Sequence, residues 1–164
     1  MNENNLYDYH KHNLVYISDY IKFADTKAGI FLTINVAIIG FLLKSYKKIH
    51  FPLKYVSENI NFLLINVALI LLLCSVYQFG NIIFPRYPKD KQYYMSWGGM
   101  ASFDKDEYVN KINNTDTTQF LKDMAVQNHD LSIVCINKYA RLKKGIWCFV
   151  SGSILSGIYF LLNK

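Results

Sequence analysis

Three stretches of this 164-residue chain contain no Asp, Glu, Lys or Arg: Ala28–Leu43, Phe62–Phe84 and Gly145–Leu162. The helices of a soluble protein interleave charged residues every few positions, and the absence of charge over whole runs excludes that pattern. A helix rises about 1.5 Å per residue and needs roughly 17–25 apolar residues to cross about 30 Å of hydrocarbon. The three runs therefore read as membrane spans. A mean hydropathy of +0.09 and 52% hydrophobic residues would also suit a soluble domain, but the average hides the segregation of charge outside the runs. The first run is at the short end for spanning, so Lys27 must snorkel or the bilayer must thin locally.

Other absences narrow the chemistry. Cys74, Cys135 and Cys148 form no Cys-x-x-Cys spacing, so no disulfide framework is implied, and an odd number of cysteines suits a reducing cytoplasm. His10 and His12 point to opposite sides of a helix, and His50 and His129 are remote, so no metal site has suitable spacing. There is no glycine-rich phosphate loop, nucleophile elbow or Cys/His dyad, which argues against an enzyme and against a cofactor. The net charge of +6 is distributed as membrane flanks, so a lipid surface, rather than nucleic acid, accounts for it. Met1–His12 lacks the charged-then-apolar order of a signal peptide, so the first span is expected to direct insertion.

The chain reads as a single unit over residues 1–164: an interfacial helix at 1–27, spans at 28–44, 61–84 and 145–162, and a cytoplasmic module at 85–144. Near the membrane, Lys11, Lys22, Lys27, Arg86, Lys89, Lys91, Lys138, Arg141, Lys143 and Lys144 share one side. Lys44, Lys47, Lys48, Lys54 and Lys164 share the other. The excess on the first side places the N-terminus in the cytoplasm by the positive-inside rule.

Leu6–Lys27 carries Leu6, His10, Asn13, Leu14, Ile17, Tyr20, Ile21 and Ala24 at three- and four-residue steps, an amphipathic helix that enters the first span without a breaker. The second span ends at Phe84 because Pro85 and Pro88 cannot continue helical hydrogen bonding. A glycine pair, Gly98-Gly99, then sits among aromatics, either as a turn packed on the bundle mouth or as backbone that a ligand can approach closely. A short helix follows from Asp104, then a turn at Asn113–Asp116. Thr117 or Thr118 is expected to cap the next helix, which carries Leu121, Met124, Asn128, Leu131, Cys135 and Leu142 and meets no proline or glycine before Gly145. The fold class is thus an all-α membrane protein: an N-terminal amphipathic helix, three transmembrane helices, and a small, mostly helical module whose long helix continues into the third span.

Polar and small residues inside the spans predict helix association. Asn35 in the first span and Asn66, Gln78 and Asn81 in the second each need a partner in lipid, and Gly152 with Ser156, and Ser153 with Gly157, let backbones approach. These residues close either the bundle of one monomer or an interface between chains.

Specific residues carry a family resemblance. Phe23-Ala24-Asp25-Thr26-Lys27-Ala28-Gly29, opening directly into a span, resembles the Ala-Asp-x-Lys-Ala junction of the transmembrane effectors of Pycsar anti-phage defence. Ser96–Ser102 followed by Glu107-Tyr108 is similar to that family's Gly-x-Ile-Ala-x block with its downstream Glu-Tyr, and Asn137-Lys138-Tyr139 precedes the last span. The match covers most of the chain from Lys22 to Leu162. It departs from the pattern in Gly98-Gly99-Met100, where an acidic-Ile pair is commoner, which leaves the ligand's identity open.

The resemblance implies a function. In that family a nucleotide cyclase makes cyclic CMP or cyclic UMP during phage infection, and the effector responds by impairing the inner membrane, an abortive infection. Such a ligand needs positive charge and backbone donors for its phosphodiester and an aromatic face or hydrogen-bonding edge for its base. Lys27, Lys138 and Arg141 are the candidate cations, Gly98 and Gly99 the candidate backbone, Trp97 and Tyr139 the stacking faces, and Asn128 or Asp130 a base reader. Asp25 is either a ligand contact or the ion-pair partner of one of these cations. Lys138, Arg141, Lys143 and Lys144 would equally serve as an interfacial anchor. A ligand that turns the long third helix would drive homo-oligomeric clustering and concentrate thinning around the short first span. The alternative is a constitutive membrane scaffold or channel subunit whose cytoplasmic module binds a protein partner.

Overall fold

The computed structural model describes residues 2–46, 56–84 and 94–162. Five helices follow one another: α1 (Glu3–Tyr46), α2 (Val56–Ile83), α3 (Trp97–Met100), α4 (Lys105–Asn113) and α5 (Thr117–Leu162), with no strand among the described residues. The all-helical class and the continuous third-span helix agree with the sequence pattern. Pro85 and Pro88, the basic residues of 47–55 and 86–91, and Lys164 lie outside the described residues.

Helices α1, α2 and α5 are each long and apolar enough to cross a membrane. With 44 and 46 residues, α1 and α5 would each extend roughly 65–70 Å, about twice the hydrocarbon thickness. Each therefore has a half that lies outside the bilayer. The polar halves are Glu3–Phe23 on α1 and Thr117–Asn137 on α5.

The chain divides into two compact units, one of residues 24–84 and 138–164, the other of residues 1–23 and 85–137. The first is an up-down-up bundle of three helices. Asn35 on α1 reaches Leu72 on α2, and Phe31 stacks on Phe79 with centroids 5.6 Å apart, so the numbering runs in opposite directions. Gly145 and Gly152 of α5 meet Ser75 and Leu72 of α2 in the same reversed order. The buried positions recur at steps of three, four or seven: Ala28, Asn35 and Leu42 on α1; Ile65, Ala68, Leu72, Ser75, Phe79 and Ile82 on α2; Leu142, Gly145, Gly152, Ser156 and Tyr159 on α5.

Polarity is inverted relative to a water-soluble bundle. Asn35, Ser75 and Ser156 are buried, whereas Ile34, Phe41, Leu63, Ile70, Leu73, Trp147, Ile154 and Leu161 face outward. Leu63 is 63% exposed and Leu161 70%, a cost in water that lipid removes. The chain is a multi-pass membrane protein.

The second unit is built around α5. Leu121, Met124 and Asn128 form its inward stripe, and Tyr94 is the largest side chain packed there. Helix α4 contributes no buried residue. The start of α5 corrects an expectation: Asp116, not Thr117 or Thr118, is the cap, its Oδ1 accepting from the Gln119 amide at 2.6 Å. An aspartate acceptor fits a helix N-terminus better than a threonine because its charge also opposes the positive end of the dipole.

Candidate functional site

The residues expected to hold a ligand fall into both units. Asp25, Lys27, Lys138, Tyr139 and Arg141 belong to the spanning unit; Trp97, Gly98, Gly99 and Asn128 belong to the other.

In the spanning unit, α1 and α5 bring Asp25 and Lys138 together. The Lys138 ammonium donates to the Asp25 carboxylate at 2.5 Å, with the two side chains 17% and 36% exposed respectively. Asp25 is thus the ion-pair partner of Lys138 in this conformation. It also neutralises Lys138, which leaves that ammonium less positive field to offer an anion. Positions 25 and 27 lie about 200° apart around a helix, so Lys27 sits on the other flank of the Ala24/Ala28 stripe. Arg141, one turn beyond Lys138, is half-buried, and no hydrogen bond or ion pair ties its guanidinium among the described residues. Tyr139 packs against the cluster of Ala24, Ala28, Phe79, Ile82 and Leu142, so part of its ring is committed to the bundle.

In the other unit the glycine pair is a helical turn. Gly98 and Gly99 are buried in α3; the Gly99 amide donates to Ser96 Oγ at 3.0 Å, and its carbonyl accepts from Ser102 Oγ at 2.6 Å. Those groups hold the turn closed and are not open to a ligand in this conformation. The Trp97 side chain lies outside the described residues. Asn128 donates its amide to the His10 carbonyl at 2.9 Å, fastening α1 to α5, while its own oxygen is buried without a partner among the described residues. Asp130 lies beside His129, 3.4 Å away, on the exposed flank.

No sequence pattern marks the second polar cluster of this unit. Tyr94, 2% exposed, donates its hydroxyl to Asp123 Oδ2 at 2.8 Å, Gln119 donates to the other carboxylate oxygen at 2.7 Å, and the Lys111 ammonium lies 5.0 Å from the Tyr94 ring. Burial, then the Asp123 carboxylate, pushes the Tyr94 phenol well above the usual tyrosine range. Twenty-nine residues separate the partners, so no local spacing could have paired them.

Among the association residues, the structure separates two roles. Asn35 crosses to the Leu72 carbonyl at 3.1 Å. Asn66, expected to seek another helix, instead bonds its own helix at the Phe62 carbonyl, 2.7 Å away, as Asn81 does at Tyr77. A short amide reaches the carbonyl four residues back at no cost in packing. Gly152 brings α5 onto α2 so closely that a methyl group there would lie 2.9 Å from Leu72, and Ser156 folds back onto the Gly152 carbonyl. Gly157 faces open space, and Ser153 Oγ is buried without a partner among the described residues. No group of three or more metal-ligating side chains occurs among the described residues.

Residues 9–163 match the model of the Pycsar effector protein domain. The chain is 25% identical over 138 residues to the Pycsar effector protein SaPycTM of Staphylococcus aureus, an alignment covering 84% of this chain and 83% of that protein. No solved structure matches.

Proposed function

Because the chain belongs to the Pycsar effector family, and so is a membrane effector of anti-phage defence, we propose that it senses a cyclic nucleotide, cyclic CMP or cyclic UMP, and impairs the inner membrane when it binds. The observation that carries this reading is the extent of the family match, residues 9–163, which takes in both the polar unit and all three spanning helices. The polar unit and the spanning helices are thus matched together on one chain.

The chemistry of the residues supports the same reading. A cyclic mononucleotide carries one phosphodiester charge and one base, so it needs one uncompensated cation and one flat or hydrogen-bonding face. Arg141 supplies the first, because Asp25 already compensates Lys138. Lys27 is a second cation. Tyr139, in the same unit as Arg141, supplies a ring face. A dedicated nucleotide cyclase is the functional partner, the N-terminus lies in the cytoplasm, and clustering of several copies enlarges the lesion.

The test is a panel of thermal shifts on detergent-purified full-length protein with cyclic CMP, cyclic UMP and a cyclic oligonucleotide. A ligand present at about one hundred times its dissociation constant stabilises the bound state by roughly 2.7 kcal/mol, a readily measured shift. Cyclic CMP or cyclic UMP should give it, and Arg141→Ala should abolish it. Identical melting curves with every nucleotide would remove the sensing function.

A further inference from the structure

Two apolar clusters fill the spanning bundle, one of Ala24, Ala28, Phe79, Ile82 and Leu142, the other of Leu42, Ile65, Ala68, Leu72 and Tyr159. Between them along the chain lie Asn35 on α1, Ser75 on α2 and Ser153 on α5. Ser75 is satisfied, donating to the Gly145 carbonyl at 3.0 Å. Asn35 Oδ1 and Ser153 Oγ are not: both atoms are buried and neither has a partner among the described residues. Asn35 is completely buried, and its nitrogen is fixed on the Leu72 carbonyl, so turning the amide over would only exchange one unmet group for another.

The two unmet atoms stand at one level of the bundle. Phe31 and Phe149 meet edge to face with centroids 5.4 Å apart, and Asn35 and Ser153 each follow by four residues, about one turn, on helices that run in the same direction. Outward, Ile34, Val36, Ile70, Leu73 and Ile154 are exposed apolar side chains. Other polar side chains of the spans, Thr33, Asn66 and Asn81, bond carbonyls of their own helices. Unmet polar atoms in an apolar medium are satisfied by water where the site admits it.

We propose that the layer of Asn35 and Ser153 binds water, and that water and small ions cross the bilayer through it when the effector is active. The inference rests on the proposed membrane-impairing function and assigns the residues that perform it. A constriction lined only by apolar side chains passes neither water nor ions because it dewets. A layer holding an amide oxygen and a hydroxyl between two apolar clusters is the element of this bundle that keeps water at mid-depth once the helices separate. Asn35→Leu, with the same number of side-chain heavy atoms, removes both polar atoms without opening a cavity.

The experiment uses full-length protein in lipid vesicles loaded with a potassium-sensitive dye, with cyclic CMP or cyclic UMP added. Asn35→Leu should abolish most of the triggered ion flux while keeping the nucleotide-induced thermal shift, and Asn35→Ser should restore most of the flux. Ser153→Ala, a change of one atom, should lower the flux in the same direction and covers the case in which Asn35→Leu does not fold. Wild-type flux in both variants would overturn the assignment. Should wild-type vesicles stay tight with every nucleotide, the proposed function fails separately, and thiol labelling decides the layer. With Cys74, Cys135 and Cys148 changed to alanine, Ser153→Cys should react with a water-soluble thiol reagent faster than the outward-facing Ile154→Cys. Equal or slower reaction would overturn it.

Discussion

The Lys138 ammonium is held by the Asp25 carboxylate, a bond between residues 113 positions apart that joins α1 to α5. The pair is only partly exposed, which places its worth between that of a solvated surface bridge and that of a buried one. Lys138→Met should destabilise the protein by about 1–2 kcal/mol, because it strands a half-buried carboxylate. Asp25→Asn combined with Lys138→Met should recover much of that loss. Thermal unfolding of the two single variants and the double variant in one detergent measures the coupling.

Gly152 and Gly157 of the last helix should respond oppositely. At Gly152 an added methyl group would lie 2.9 Å from the Leu72 side chain and 3.3 Å from the Ala68 carbonyl oxygen. Overpacking of this kind costs about 1–3 kcal/mol, against which alanine's better helix propensity returns at most about 1 kcal/mol. Gly152→Ala should therefore lower the melting temperature. At Gly157 nothing lies within 4 Å, so Gly157→Ala should leave the melting temperature unchanged or raise it. The comparison is made on the two variants side by side.

Tyr94 gives the protein an alkaline limit. Its phenol is pushed above the ordinary tyrosine value in the folded state, so folding favours the protonated form. That contribution is fully present below the unfolded tyrosine pKa of about 10 and declines as pH rises through the higher folded value. Tyr94→Phe should cost about 1–3 kcal/mol at neutral pH, since it removes a hydrogen bond to a charged acceptor. It should also flatten the loss of stability that wild type shows above about pH 10. Melting temperatures between neutral pH and strongly alkaline pH for both proteins supply the check.

The spans and their inward faces were legible because charge and size are properties of single residues repeated at helical steps. The absence of charge marked Ala28–Leu43, and Asn35, Gly152 and Ser156 announced themselves as polar or small residues in lipid. The continuity of α5 followed from the lack of a breaker between Thr117 and Gly145. What escaped were pairings set by tertiary geometry. Asn35 and Asn66 are the same residue type in the same kind of run, yet one crosses to α2 and the other bonds its own helix, a choice made by which face each occupies. The cap at Asp116 lost to the threonines in the sequence pattern because both types are good caps and only the loop's path decides between them. Gly98 and Gly99 left a packed turn and a ligand-accessible backbone both open, and the Ser96 and Ser102 hydroxyls that close them into a turn are visible only in three dimensions.

Leakage from vesicles tests the proposed function most directly. Full-length protein in vesicles of bacterial lipid should release an entrapped small dye only when cyclic CMP or cyclic UMP is added, and Arg141→Ala should stay tight at the same nucleotide concentration. Equal release with and without every cyclic nucleotide, or no release under any condition, would contradict it.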